Sequence, residues 1–294
     1  MAVGEIISVA RYNAMQIKIK NVLAGIGTTG QFGYGQDPIL SSPVSNSTTV
    51  NAVHMQQLNT DLIKAYVHQT GSDPGLPNVV TDNEITNAVY NSYETIVNST
   101  YNNRNIIFES TQASVEAKLN SQRTSSWGGN LQPQTVTHEF SLTFNNANDR
   151  RYFFNAGSEI RFSASLTSSS GAKYNDWKNM LTALGTVKFN YDTTTGNSGT
   201  SPNGIGNFEL TTTYQVIWIK SGSGVYSNND LIAYAKTNTL GNVIMFKIAF
   251  NDGSIGGADE PVTGNLTSII TQLRATGVYV EVLTPVYQNI TDLA

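Results

Sequence analysis

Two kinds of hydrophobic spacing divide the chain. Over roughly the first hundred residues, apolar positions recur with a helical period. Tyr12, Met15, Ile19, Val22 and Leu23 mark one face of a helix that Ser8 can cap and that Gly25 and Gly27 stop after Ala24. A second helix is predicted over Ala52–Gln69, capped by Asn51, with Met55, Leu58, Leu62 and Ala65 as its stripe. Gly71-Ser72-Asp73-Pro74-Gly75 ends it. A third begins at Thr81, with Glu84 completing a capping box. It carries two stripes, Ile85/Ala88/Val89/Ile96 and Tyr90/Tyr93/Val97, which predicts one contact inside the chain and one with a neighbour.

From about Ile106 the period shortens to that of a strand. Val136, His138, Phe140, Leu142 and Phe144 alternate with Thr135, Thr137, Glu139, Ser141 and Thr143, and Ile160, Phe162, Ala164 and Leu166 alternate with Glu159, Arg161, Ser163 and Ser165. Further strands are expected at 187–191, 214–220, 231–236, 243–250 and 278–283. One helix interrupts them: Asn175 is its expected cap, Trp177, Met180, Leu181 and Leu184 its buried stripe, and Gly185 its stop. It is expected to close one end of the β body. The fold class is therefore α+β: a helical module over residues 1–105, a connector over 106–133, and an antiparallel β-sandwich-like body over 134–294 with one inserted short helix.

Composition narrows the function. Charged residues make up 13% of the chain, about half the usual share, and Asn, Ser, Thr and Gly take their place. This suits sheet surfaces and tight turns, and it suits a surface covered by partners better than one kept soluble by charge. A net charge of −4 argues against a phosphate-backbone partner. With no cysteine, disulfides, thiolate catalysis and Cys-ligated zinc are excluded, and no apolar run is long enough to predict a membrane span.

Three stretches carry a family resemblance. One runs from Tyr12-Asn13 through Val22-Leu23 to Gly33-Tyr34-Gly35-Gln36 and the helix ending in Val67-His68-Gln69. The second holds Asn148-Asp149-Arg150-Arg151-Tyr152-Phe153-Phe154-Asn155-Ala156-Gly157, Ile160–Ser165, Asp176-Trp177 and Leu184–Val187. The third holds Leu210–Gln215, Ala235–Asn238, Phe250-Asn251-Asp252 and Gln272–Gly277. Together they resemble virion structural proteins of tailed bacteriophages, notably marine and cyanobacterial phages with contractile tails. The resemblance implies a non-enzymatic tail, baseplate, neck or fibre-associated protein without a cofactor. Its partners would be other virion proteins and copies of itself, and it would be assembled in the host cytoplasm. The alternatives are a receptor- or glycan-binding module at a fibre tip, which would use Tyr214, Trp218, Tyr226 and Tyr234, or a capsid-surface decoration protein.

Motifs for chemistry are weak. Gly25-Ile26-Gly27-Thr28-Thr29-Gly30 matches a dinucleotide fingerprint but follows a helix instead of a strand, so it reads as a helix stop. His54 and His68 lie too far apart on one helix to share an ion, although His68 repeated about a symmetry axis could bind one. His138 falls on an apolar strand face and reads as a satisfied core residue. Asp252, Asp259 and Glu260 among glycines could hold calcium, though a hairpin turn is the stronger reading. Glu139/Glu159 and Asp149/Asp176 are the acidic pairs a glycosidase would need, but their spacing licenses no catalytic separation. Arg150-Arg151 before Tyr152-Phe153-Phe154 reads as the start of a strand with surface or inter-subunit ion pairs.

The assembly interface is expected at Gly33, Tyr34, Gly35 and Gln36 and at Tyr90, Tyr93 and Val97. Glycines on both sides let the backbone present the Tyr34 ring as an anchor, either to a neighbour or back onto the helical module.

Overall fold

The computed structural model describes residues 8–24, 33–80, 85–254 and 260–293. The chain divides into two compact units. One is helical and comprises Met1–Ser114 together with two distant segments, Arg151–Ser158 and Arg274–Leu283. The other is built of sheets and comprises Val115–Arg150, Glu159–Leu273 and Thr284–Ala294.

The helical unit packs α1 (Val9–Leu23), α2 (Ala52–Thr70) and α3 (Asn87–Asn102) against one another, followed by a single turn, α4 (Glu109–Gln112). Ser8 accepts from the Arg11 amide and caps α1. Asn51 and His54 cap α2 reciprocally, and Gly71 closes it in the left-handed conformation. The expected stripes are all buried: Tyr12, Met15, Ile19, Val22 and Leu23 on α1, then Met55, Leu58, Leu62 and Ala65 on α2. Each large apolar side chain so enclosed contributes about 1.5–3 kcal/mol. The expected start of the third helix, Thr81 to Glu84, lies outside the described residues, as does the Gly25–Gly30 stretch. Within the described residues α3 begins at Asn87, where Thr86 accepts from the Val89 amide.

The sheet unit is a sandwich-like body. Its elements in chain order are β1 (Ala113–Arg123), β2 (Thr135–Thr143), the first residues of α5 (Ala147–Asn155), whose remainder from Arg151 belongs to the helical unit, β3 (Glu159–Thr167), α6 (Ala172–Leu184), β4 (Val187–Phe189), β5 (Thr194–Thr195), β6 (Gln215–Ser221), β7 (Asp230–Thr237), β8 (Val243–Asn251), β9 (Asn265–Ala275) and β10 (Val286–Thr291). One five-stranded sheet has the order β1-β9-β3-β4-β5 and the other β10-β2-β8-β7-β6. Phe140 and Phe246 stack within one inner face, and Phe189 of the opposite sheet meets Phe246 edge-on at 5.1 Å. His138 of β2 reaches Ser268 of β9 across the same interior. Helix α6 packs on β3 of one sheet and β6 of the other, with Trp177, Met180, Leu181 and Leu184 buried and Gly185 at its stop.

Several sequence expectations are corrected. The 106–133 connector holds α4 and the eleven-residue strand β1. Residues 147–155 form a helix, α5, so Arg150 and Arg151 do not start a strand. Helix α6 begins at Ala172 with Gly171 as its cap, ahead of Asn175. Val278–Leu283 is not a strand. Thr276 and Glu281 form an isolated bridge there, and the segment belongs to the helical unit, burying Val280 and Val282.

Candidate functional site

Tyr34 points inward. Gly33 adopts φ +100°, and a Cβ there would stand 1.7 Å from the Ala24 carbonyl oxygen, so only glycine fits. The Tyr34 and Gln36 amides then donate to the Val22 and Leu23 carbonyls, satisfying the open end of α1. The Tyr34 hydroxyl donates to the Arg104 carbonyl and accepts from Gln69 Nε2, while its ring lies 4.9 Å from that of His68. Burial pushes the phenol well above its ordinary range. Asn155 donates to the Gly33 carbonyl, Gln36 to the Glu281 carbonyl, and the His68 Nε2–H to the Ala156 carbonyl. The Gly33–Gln36 turn is thus the junction where α1, α2 and the two distant segments of the helical unit meet. Of the two readings of the Tyr34 ring, packing back onto the module is the one the geometry carries.

Tyr90, Tyr93 and Val97 are corrected in the same way: all three are fully buried within the helical unit. The other stripe, which begins just before α3 at Ile85, is the more exposed one. Ala88 is exposed and Ile85, Val89 and Ile96 are half-buried. An open groove of about 470 Å³ runs beside Ile96, lined also by Pro74, Leu76, Pro77, Asn91 and Thr95. Of the two stripes, the aromatic one makes the contact inside the chain. Large aromatic rings fill the interior because they bury the most area.

On the β unit the suggested receptor patch is reduced. A bulge between Val216 and Trp218 interrupts the register of β6, and Trp218 is buried, as is Ile217. Tyr214, Tyr226 and Tyr234 stay half-exposed. Tyr214 and Tyr234 meet edge-on at 6.4 Å, with Lys236 Nζ 4.4 Å from the Tyr214 ring centre. Glu139 pairs with Lys247 on the same sheet, and Glu159 with Arg161 on the opposite one.

The remaining candidates serve the interior. His138 bonds Ser268 through Nδ1 and Asn289 through Nε2, the satisfied core residue its position predicts, and burial lowers its pKa. His68 is fully buried, which removes it from any symmetry axis. Arg150 is buried and donates to the Asn207 side chain and carbonyl, the Thr237 hydroxyl and the Gly241 carbonyl, and burial lowers its pKa to about 10. It ties loops of the sheet unit together, in place of the surface pair expected. Asp61 accepts from the Leu40 and Ser41 amides at 3.1 and 2.7 Å and fixes this part of the segment between α1 and α2 to α2.

The densest chemistry lies where sequence reasoning did not place it. Lys173, at the start of α6, sits 2.8 Å from Asp252 Oδ2, with both side chains enclosed (1% and 0% exposed). The Gly129 amide donates to the same oxygen at 2.6 Å, whereas Oδ1 is buried without a hydrogen-bond partner among the described residues. Asp252 Oδ2 is therefore engaged by Lys173 and Gly129; Asp259, its expected companion, lies outside the described residues. Trp127, bridged to Val262 through both backbone groups, meets Trp177 edge-on at 5.0 Å beside this pair. Lys173 and Trp177 share a face of α6, one turn apart. Among the described residues no group of three or more metal-ligating side chains converges, and no helix is long and apolar enough to cross a membrane.

Compared with protein-family models, curated proteins and solved structures, the chain finds no match in any of the three.

Proposed function

We propose that the protein is a structural component of a tailed-phage virion, a tail, baseplate, neck or fibre-associated part that acts through assembly with copies of itself and with other virion proteins. The observation that carries this reading is the part-exposed apolar stripe of α3, Ala88, Val89 and Ile96, with the Leu76 groove beside Ile96. With Tyr90, Tyr93 and Val97 in the core, the second stripe keeps Ala88 exposed and Val89 and Ile96 half-buried. Exposed apolar side chains elsewhere add to it: Val278 and Leu283 on the helical unit, Val225 and Leu240 on the sheet unit. The polar interior points the same way. Asp61, Arg150 and His138 each spend their hydrogen bonds on holding loops and strands together. The low charge density and the resemblance to phage virion proteins agree with a part whose surface is covered in the finished particle.

The test is Ile96→Glu in the full chain, compared with the parent by sedimentation. Loss of self-association in a folded variant supports the reading, and unchanged association removes the α3 face from it.

A second reading, a receptor- or glycan-binding module, rests on the Tyr214–Tyr234 pair with Lys236 beside it, since aromatic faces flanked by a cation suit sugar rings. Glycan-array binding that Tyr234→Ala abolishes would favour it. A surface decoration protein of the capsid would share the assembly chemistry and differ in location.

A further inference from the structure

We propose that Lys173 and Asp252 join in an intramolecular isopeptide bond that staples the start of helix α6 to the segment following strand β8. The inference concerns the sheet unit alone and does not depend on the assembly reading. Lysine is almost never fully buried unless paired, and here both partners are enclosed and in contact. Such a pair loses most of the hydration of both charges, and breaking it would strand a charge in the interior. Conversion to an amide removes both charges and leaves a neutral group.

The site is built for the reaction. The Asp252 backbone is fixed through its amide to the Gln134 carbonyl, and Lys173 is fixed by α6. Holding two reactants this way gives effective concentrations on the order of 10⁵–10⁸ M. Gly128, at φ +73°, passes so near the carboxyl that a Cβ there would stand 2.2 Å from Oδ2 and 2.7 Å from Cγ, so the backbone closes over the group where a side chain would not fit. The Gly129 N–H on Oδ2 is placed to stabilise negative charge on that oxygen as the carbonyl carbon turns tetrahedral. Oδ1, without a partner among the described residues, is the oxygen free to depart. Trp127 and Trp177 keep the surroundings apolar.

The step balances without an oxidant or cofactor. Within the pair, a proton passes from the Lys173 ammonium to the Asp252 carboxylate. The amine attacks Cγ, and the Nζ–Cγ bond forms. A second proton passes from nitrogen to Oδ1, the Cγ–Oδ1 bond breaks, and Oδ1 leaves as water. Ammonium and carboxylate become one amide and one water.

The experiment is mass spectrometry of the full native chain under denaturing conditions, followed by tryptic digestion. The expected result is a mass about 18 Da below that of the sequence, no cleavage after Lys173, and a branched peptide linking Lys173 to Asp252. Lys173→Arg should restore the full mass, but the parent chain decides the matter whether or not that variant folds. An unreduced mass overturns the proposal. So does water loss with normal cleavage after Lys173, because Asp252-Gly253 can lose water by closing a succinimide on its own backbone.

Discussion

His68 Nε2 lies 2.9 Å from the carbonyl oxygen of Ala156, a residue 88 positions later in the chain, and the contact is fully enclosed within the helical unit. Burial lowers the His68 pKa from its ordinary 6.5 to about 4, and the hydrogen bond to Ala156 offsets only part of that. The folded protein therefore holds this imidazole neutral at pH values where the unfolded chain protonates it. The stabilisation is fully present above pH 6.5 and is lost as pH falls from 6.5 towards 4, by about 3 kcal/mol in total. Thermal melts between pH 7 and 4 should show the helical unit weakening over that range. His68→Gln should flatten the dependence; an equally steep dependence in the variant would mean that another group controls it.

Tyr34→Phe should separate core from interface. It removes the hydroxyl shared by the Arg104 carbonyl and Gln69, at a cost of about 1–3 kcal/mol for the buried groups left unpaired. Because the ring faces inward, the oligomeric state should not change. Denaturant titration reads the first effect and light scattering the second.

Gly33→Ala and Gly75→Ala make a controlled pair. Both glycines have positive φ, so each variant should lose about 1 kcal/mol from the backbone alone. A Cβ at Gly75 meets nothing within 4 Å, whereas at Gly33 it collides with the Ala24 carbonyl. Gly33→Ala should therefore cost several times more, or prevent the junction from forming. Similar melting temperatures for the two variants would contradict the close approach.

Asp61→Ala should release the Leu40–Ser41 segment from α2. Two amides, those of Leu40 and Ser41, lose their buried acceptor, at a cost of about 2–4 kcal/mol. Hydrogen exchange at these two amides should accelerate in the variant while exchange within α2 stays slow.

Much of the architecture was legible because single-faced stripes and clear alternation report burial directly. Tyr12 to Leu23, Met55 to Ala65 and Val136 to Phe144 all face the interiors their spacing predicts. The strands that escaped notice carry polar residues inward. In β9, Ser268 and Gln272 are buried to serve His138, Tyr287, Glu116 and Thr284, which erases the period-two signal. Helix α5 hid behind Tyr152-Phe153-Phe154, whose β propensity outweighs the one local signal, an Asn146 side chain that accepts from the Asp149 amide at its start. Val278–Leu283 shows the opposite failure, an alternating segment with no strand to pair along its length. Lys173 and Asp252 could not be matched from sequence, because only the folded chain brings together residues 79 apart, and a cap placed at Asn175 left Lys173 outside the helix.

Light scattering coupled to size exclusion on the full chain asks whether the protein is an assembly part. The expected mass is that of two or more chains, reduced to that of one chain by Ile96→Glu with the fold intact. A folded monomer at every concentration would contradict it and shift the weight to the Tyr214–Tyr234 surface.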